Sequence, residues 1–290
     1  MPELPEVETV RRGLNSLTLN QKIIGGEVLL ERTVAQPTSI NKFIDGIQGN
    51  TIAAWHRRGK YLLAQLSPAP GWLGVHLRMT GQLLWLDKNE PLHKHTRVRL
   101  FFQNNRELRF VDQRTFGQMW LVAPRVEIET IITGLAKLAA DPFSDEFTTE
   151  YLAKKLHNRR RPIKTALLDQ SMVAGLGNIY ADEALFLSKI RPETQCIDLQ
   201  RSQIESLHTA IIKVLETSIA AGGTTFSNFL NVKGVNGNYG GVAWVYNRTG
   251  EPCKICGEPI QRIKLGGRSS HFCGQCQPLG GIKKSKLSSP

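Results

Sequence analysis

Four cysteines near the end of the chain, spaced Cys253-x2-Cys256-x16-Cys273-x2-Cys276, restrict the possible folds more than any other feature. Two short loops each present two thiolates, and the intervening residues are enough for a β-hairpin that brings both pairs around one tetrahedral Zn2+. Four thiolates leave no open position for a catalytic water, so one such zinc is structural. Two unrelated redox dithiols are the other reading of this spacing. The fifth cysteine, Cys196, has no partner motif and reads as a buried apolar thiol. Thiols used in this way belong in a reducing compartment. Glu3, Glu6 and Glu8 stand where a signal or transit peptide would be free of acids. No run of about 18 apolar residues occurs that could span a bilayer. A cytoplasmic chain without a membrane partner is expected.

The charge balance narrows the partner. There are 37 Lys and Arg against 25 Asp and Glu, a formal charge of +12. A surplus of this size fits a polyanionic partner, nucleic acid first, with ribosomal contact, an anionic membrane surface and generic basicity as the other readings.

The 290 residues suggest about two domains. Residues 5–18 carry Val7, Val10, Leu14 and Leu17 at helical spacing, with Pro5 where a first turn tolerates it. From about 22 to 122, short runs such as KIIGGEVLL, GKYLLAQL and RVRLFF recur every ten residues or so between turn signals, which predicts a sandwich or barrel of strands. From 127 to 222 the pattern is helical, with helices predicted over 150–157, 163–170, 178–188 and 201–221, the last ended by Gly222-Gly223. The expected division is a strand-rich domain over 1–124, a helical domain over 125–243, the cysteine module over 244–278 and a basic tail over 279–290. The class is α+β multidomain.

The N-terminus carries chemistry of its own. Removal of Met1 would leave Pro2 with a secondary amine, and α-amino groups titrate near ~8, so free base exists at neutral pH to attack an electrophilic sugar carbon. Pro2 as a simple helix starter is the alternative. Glu3 beside the amine, Glu6 one turn along and a separate lysine in Arg57-Arg58-Gly59-Lys60 favour the chemical reading.

The opening MPELPEVET, the segments RRGKYL and GLGNIYADEALF, and the terminal four-cysteine finger together resemble the formamidopyrimidine-DNA glycosylase (Fpg/MutM) family over essentially the whole chain. The resemblance implies an N-terminal β-sandwich with a leading helix, then a helix–two-turn–helix domain and a zinc finger. It implies a monomeric, nucleoid-associated bifunctional glycosylase and AP lyase of base excision repair. That enzyme would excise 8-oxoguanine and formamidopyrimidines from duplex DNA through a proline Schiff base and cut the strand by β,δ-elimination. No small-molecule cofactor is implied. An enzyme of the endonuclease VIII type, acting on oxidised pyrimidines, and a non-catalytic zinc-finger DNA-binding protein are the competing classes.

By resemblance Pro2 is the nucleophile, Glu3 the acid that protonates the sugar ring oxygen, and Glu6 a second acid that orients the amine. Lys60 contacts the phosphate near the lesion, and Arg268 clamps phosphates around it. Asn178 at a helix N-terminus, Arg160 and His95 hold the DNA backbone. Met79, Arg114 and Phe116 fill the gap left by the extruded nucleotide. Without the resemblance, Lys60 reads as a surface lysine, Asn178 as a helix cap, the Arg159–Arg161 run as a solvated face, and Met79 and Phe116 as core. In the DQRTFG segment Gln113 and Thr115 replace a proline and an arginine of the usual DPRRFG. Residues 224–241 match a glycine-rich loop that closes over the flipped base; a plain connector is the alternative.

Overall fold

The computed structural model describes residues 1–224 and 230–279. The basic tail from 280 onward and part of the glycine-rich loop, 225–229, therefore lie outside the described residues. The chain divides into two compact units: Met1–Asp141 with Val173–Gly175 and Leu215–Val242, and Pro142–Met172 with Leu176–Val214 and Ala243–Pro290.

The first unit opens with helix α1 (Leu4–Thr18). Strands β1 (Ile23–Val28), β2 (Val34–Gln36), β3 (Thr51–Arg58), β4 (Tyr61–Ser67), β5 (Trp72–His76), β6 (Gly81–Asp87), β7 (Thr96–Phe102), β8 (Arg106–Asp112) and β9 (Gln118–Val122) follow. They form a four-stranded sheet in the order β1-β7-β8-β6 and a five-stranded sheet in the order β2-β9-β5-β4-β3. The expected sandwich is therefore present. Helix α2 (Ile40–Ile47) interrupts the strands, capped by Ser39 and burying Phe43 and Ile47. Its apolar residues Ile40, Phe43, Ile44 and Ile47 follow helical spacing, which the strand-like texture on either side obscured.

Between the sheets, Val7, Val10 and Leu14 of α1 pack with Trp55, Leu62, Ala64, Leu83, Val98 and Phe110. Strand β7 alternates buried and half-exposed positions, as a one-faced strand should. Strand β4 instead buries residues on both sides. Its second face, with Tyr61 and Leu63, is covered by Ile132, Leu135 and helix α3 (Ile128–Ile131). Trp55 fixes α1 to β3: its indole N–H donates to Thr18 at 2.9 Å, and Asn15 brackets its backbone N–H and carbonyl at 2.9 Å each.

The second unit holds α4 (Thr149–Leu156), α5 (Ile163–Leu167) and α6 (Asn178–Leu187). Helix α7 (Arg201–Ala220) ends at Gly222 and Gly223, both left-handed at φ +75° and +87°. The Gly223 N–H reaches back to the Ser218 carbonyl at 2.8 Å, closing the helix as the glycine pair predicts. A short turn, α8 (Tyr239–Val242), leads on. Strands β10 (Ile260–Leu265) and β11 (Arg268–Cys273) then pair as an antiparallel hairpin across Gly266-Gly267. Among the described residues no helix is long and apolar enough to cross a membrane.

Candidate active site and zinc centre

The first turn of α1 is built by two carboxylates. Glu3 and Glu6 form a reciprocal capping box: the Glu3 N–H donates to Glu6 Oε2 at 2.8 Å, and the Glu3 side chain accepts from the Glu6 backbone. The other Glu6 oxygen accepts the Thr224 N–H at 2.9 Å. Glu3 is 2% exposed and Glu6 fully buried. Glu6 thus orients the peptide beside Pro2, with both oxygens engaged by backbone donors. The Leu4 N–H, which the helix itself cannot satisfy, donates to the Gly175 carbonyl at 3.0 Å. Gly175 has φ +85°, and a Cβ there would lie 2.7 Å from the Leu4 side chain. Only glycine fits that approach.

Lys60 lies in the turn between β3 and β4 and is 8% exposed. An ion network fixes the base of that turn. Arg57 donates to Glu8 at 3.1 Å and to both oxygens of Asp141 at 2.6 and 3.1 Å, and the Gly59 N–H points to Asp141 at 3.4 Å. Burial disfavours the Glu8 anion, but hydrogen bonds from Arg11 and Arg12 and the charge of Arg57 prevail and bring its pKa down to about 2.

A cavity of about 780 Å³ opens beside this N-terminus; Met1, Pro2, Met79, His95, Arg114 and Asn236 are among the residues that line it. Burial lowers the pKa of the Met1 amine; Glu3 and Glu6 oppose the shift, while Lys60 and Arg114 reinforce it. Pro2, Glu3, Glu6, Lys60, Met79, His95 and Arg114 are therefore grouped around one site. Desolvation and the neighbouring cations Arg97 and Lys94 lower the His95 pKa. Its Nδ1 sits 3.1 Å from Arg97.

The segment 112–117 is held by Asp112, which accepts from the Thr80 hydroxyl on one oxygen and from the Gly117 N–H at 2.7 Å on the other. Arg114 donates its N–H to Thr80 at 2.9 Å and lays its guanidinium over the Phe116 ring, 5.1 Å from the centroid. Phe116 is 52% exposed, far from a core position. Past the undescribed stretch, the glycine-rich loop is anchored where Val232 accepts the Trp85 N–H at 2.9 Å and Tyr239 donates its N–H to Gly223 at 3.0 Å.

His76 escaped the sequence reading. It is buried, packs edge-on against Tyr61 at 4.5 Å, and accepts the Arg78 N–H on Nδ1 at 2.9 Å. Burial first, then Arg78 and Lys60, lowers its pKa to about 3, so it is a neutral Nε2–H donor. The only available signal was its place at the end of a strand, one residue before Leu77-Arg78-Met79.

Arg160, Asn178 and Arg268 belong to the second unit. Asn178 is the first residue of α6, and the cap position falls to Gly177, which corrects the plain-cap reading. Its side-chain Oδ1 is buried without a hydrogen-bond partner, while its backbone carbonyl accepts Lys164 Nζ at 2.8 Å. Arg160 is exposed between α4 and α5. Arg268 is exposed at the start of β11.

The sulfurs of Cys253, Cys256, Cys273 and Cys276 lie within 4.8 Å of one another. The Cys253–Cys276 and Cys256–Cys273 separations are 3.9 and 3.5 Å, against about 3.8 Å for thiolates 2.3 Å from a tetrahedral zinc. Backbone N–H groups of Ile255 and Cys276 approach Cys253 and Cys273 at 3.4 and 3.5 Å. This donor set fits one structural zinc, held by those four residues. Zinc there supplies no reaction chemistry; it ties the two loops together. Cys196 is buried, and among the described residues it joins no such cluster.

Comparison with known proteins agrees with this layout. Residues 1–119 match the formamidopyrimidine-DNA glycosylase N-terminal domain, residues 138–229 the formamidopyrimidine-DNA glycosylase H2TH domain, and residues 250–279 a zinc finger found in FPG and IleRS. A formamidopyrimidine-DNA glycosylase of Nostoc sp. is 76% identical over 282 residues, covering 96% of this chain and 100% of the relative. The Lactococcus lactis Fpg (MutM), solved in complex with DNA containing FAPY-dG, is 37% identical with a TM-score of 0.86, over 95% of this chain and 100% of that one. MutM solved with DNA containing carbocyclic 8-oxo-G is 36% identical with a TM-score of 0.86, over 96% of this chain and 100% of that one.

Proposed function

The chain belongs to the formamidopyrimidine-DNA glycosylase family of DNA-repair enzymes, and from that premise we propose that it removes oxidised purines from duplex DNA and then cuts the strand as an AP lyase. The observation that carries the reading is Pro2 at the wall of a 780 Å³ cavity, with Glu3 and Lys60 buried around the same terminus. Removal of Met1 exposes the Pro2 nitrogen as a secondary amine. Its lone pair forms a bond to C1′ of the damaged nucleotide while the bond to the base breaks and the base leaves with a proton. Glu3 delivers a proton to the ring oxygen as the C1′–O4′ bond opens, giving a cationic iminium. That cation takes up the electron pair released when a C2′ proton is lost, and the resulting enamine expels the 3′ phosphate; loss of the C4′ proton from the conjugated iminium then expels the 5′ phosphate. Lys60 and Arg268 supply the cations that hold those phosphates. Met79, Arg114 and Phe116 enter the stack behind the extruded nucleotide. Arg160, Asn178 and His95 contact the backbone. The enzyme works as a monomer on the chromosome.

Borohydride reduction of the reaction on an 8-oxoguanine duplex tests this. The Met1-free chain is expected to form a covalent protein–DNA adduct. The chain retaining Met1 forms none, because its Pro2 nitrogen is an amide without a basic lone pair. A processed chain that releases base yet never traps would remove the lyase from the proposal. Faster turnover of oxidised-pyrimidine duplexes would overturn the purine preference.

A further inference from the structure

The segment Asp112-Gln113-Arg114-Thr115-Phe116-Gly117 carries Thr115 at φ +56°, a left-handed conformation that a β-branched residue rarely adopts. Its hydroxyl accepts a hydrogen bond from the Arg32 guanidinium, which arrives from the short 3-10 turn Glu31–Thr33 far away in sequence. A second cavity, of about 550 Å³, lies alongside; Arg32, Arg78, Thr115 and Phe116 are among its lining residues, and no acidic residue is. Among the described residues Arg32 and Arg78 make no ion pair, whereas Arg57, Arg99 and Arg109 are each engaged by carboxylates. Arg32 is exposed and spends one donor on Thr115. A guanidinium has five N–H donors in a planar fork, so most of its capacity faces outward.

We propose that Arg32 is a phosphate-binding residue of this loop, supplying from outside it the positive charge that Thr115 itself lacks. The proposal rests on the reading of the chain as a DNA-binding glycosylase. Thr115 sets the direction of the guanidinium, and Arg78 across the same groove adds a second cation. A phosphodiester of the duplex beside Met79 and Phe116 is the ligand whose charge and acceptor geometry match. The loop departs from a pattern with arginine at position 115, and an arginine from the 3-10 turn at 31–33 occupies the same neighbourhood.

Equilibrium binding of the full chain to a duplex bearing a tetrahydrofuran abasic analogue, read by anisotropy between 50 and 200 mM salt, tests the assignment. Loss of one phosphate contact lowers the steepness of log K against log salt by about 0.9. Arg32→Ala and Arg32→Gln are both expected to show that loss with unchanged melting temperature. Glutamine can still hydrogen-bond Thr115, so wild-type steepness in Arg32→Gln would overturn the phosphate contact in favour of simple loop bracing. Unchanged steepness in both variants would overturn it outright. Thr115→Arg placed in the Arg32→Ala background is expected to recover the slope; a slope that stays low would overturn the exchange of positions. Failure of the wild-type chain to bind the duplex at all would instead strike the DNA-binding reading beneath it.

Discussion

Glu3 caps α1 through the Glu6 backbone and also stands beside the Pro2 amine. Glutamine at this position keeps an acceptor for the cap but cannot deliver a proton. Glu3→Gln should therefore slow base release from an 8-oxoguanine duplex by ~10²–10⁴-fold. An abasic site already offers an aldehyde to Pro2, so cleavage of that substrate should fall far less. Equal losses on both substrates would assign the carboxyl to Schiff-base chemistry in general. Glu8 gives a pH prediction of the opposite kind. Its folded pKa, about 2, lies below the ordinary glutamate value of 4.5. The stability it contributes is complete above 4.5 and is lost as pH falls through about 2. Glu8→Gln should cost about 2 kcal/mol at neutral pH, the scale of hydrogen bonds to a charged group. The gap in melting temperature between the two proteins should close between pH 5 and pH 2. At this scale the sequence was only partly legible. The four cysteines declared themselves by spacing, and Pro2 by its position. His76, Gly175 and Asp112 did not, because each packs or bonds against a partner that only the fold brings near: Tyr61, Leu4 and Thr80.

Among the elements, periodicity revealed α1, the recurring strands and the long helices, since each presents one apolar face to a core. It failed where a second layer intervenes. Strand β4 reads as a continuous apolar run because Ile132 and Leu135 cover its outer face, and α2 is hidden between strand-like neighbours. Helix α6 shows what such readings cannot supply. Asp182, fully buried, accepts from Lys164 Nζ on one oxygen and from the His271 N–H and Nδ1 at 3.0 Å on the other. Next to it, Glu183 accepts the N–H groups of Trp244, Val245 and Tyr246 at 2.8, 2.9 and 2.8 Å. Two consecutive acids on α6 thereby grip both the entry to the finger and its second strand. Asp182→Asn leaves the buried Lys164 ammonium without its counter-charge, which should destabilise the second unit by about 3–5 kcal/mol. Replacing both partners by Leu and Met removes the stranded charge, so the double variant should unfold at higher urea than Asp182→Asn alone. A double variant no better than the single one would show that His271, rather than Lys164, is what Asp182 mainly supports.

Over the whole chain, the sandwich and the finger hold their cores by different means, and removal of zinc separates them. The sandwich buries a large apolar set that contains no cysteine. The finger cluster is Phe186, Val245, Cys253, Ile260 and Cys273, so two of its members are metal ligands. An isolated two-stranded hairpin is marginal in water, and small sites of this kind draw their folding energy from the metal. A strong chelator, or Cys273→Ser, should thus release the finger while β1 to β9 stay folded. The loss should be graded along the hairpin. Asp182 still holds the His271 N–H, whereas Gln261, Arg262 and Lys264 are exposed and have no such anchor in α6. Amide hydrogen exchange should accelerate first over 253–265 and last at 271, with strand amides of the sandwich unchanged. Arg268 sits at the tip of this hairpin, so it is released along with the turn. Affinity for a lesion duplex should collapse in the same sample, even though the Pro2 cavity is built entirely from the first unit. Wild-type affinity in a sample shown to be zinc-free would mean that the finger contributes nothing to the grip on DNA. It would also remove Arg268 from the phosphate clamp.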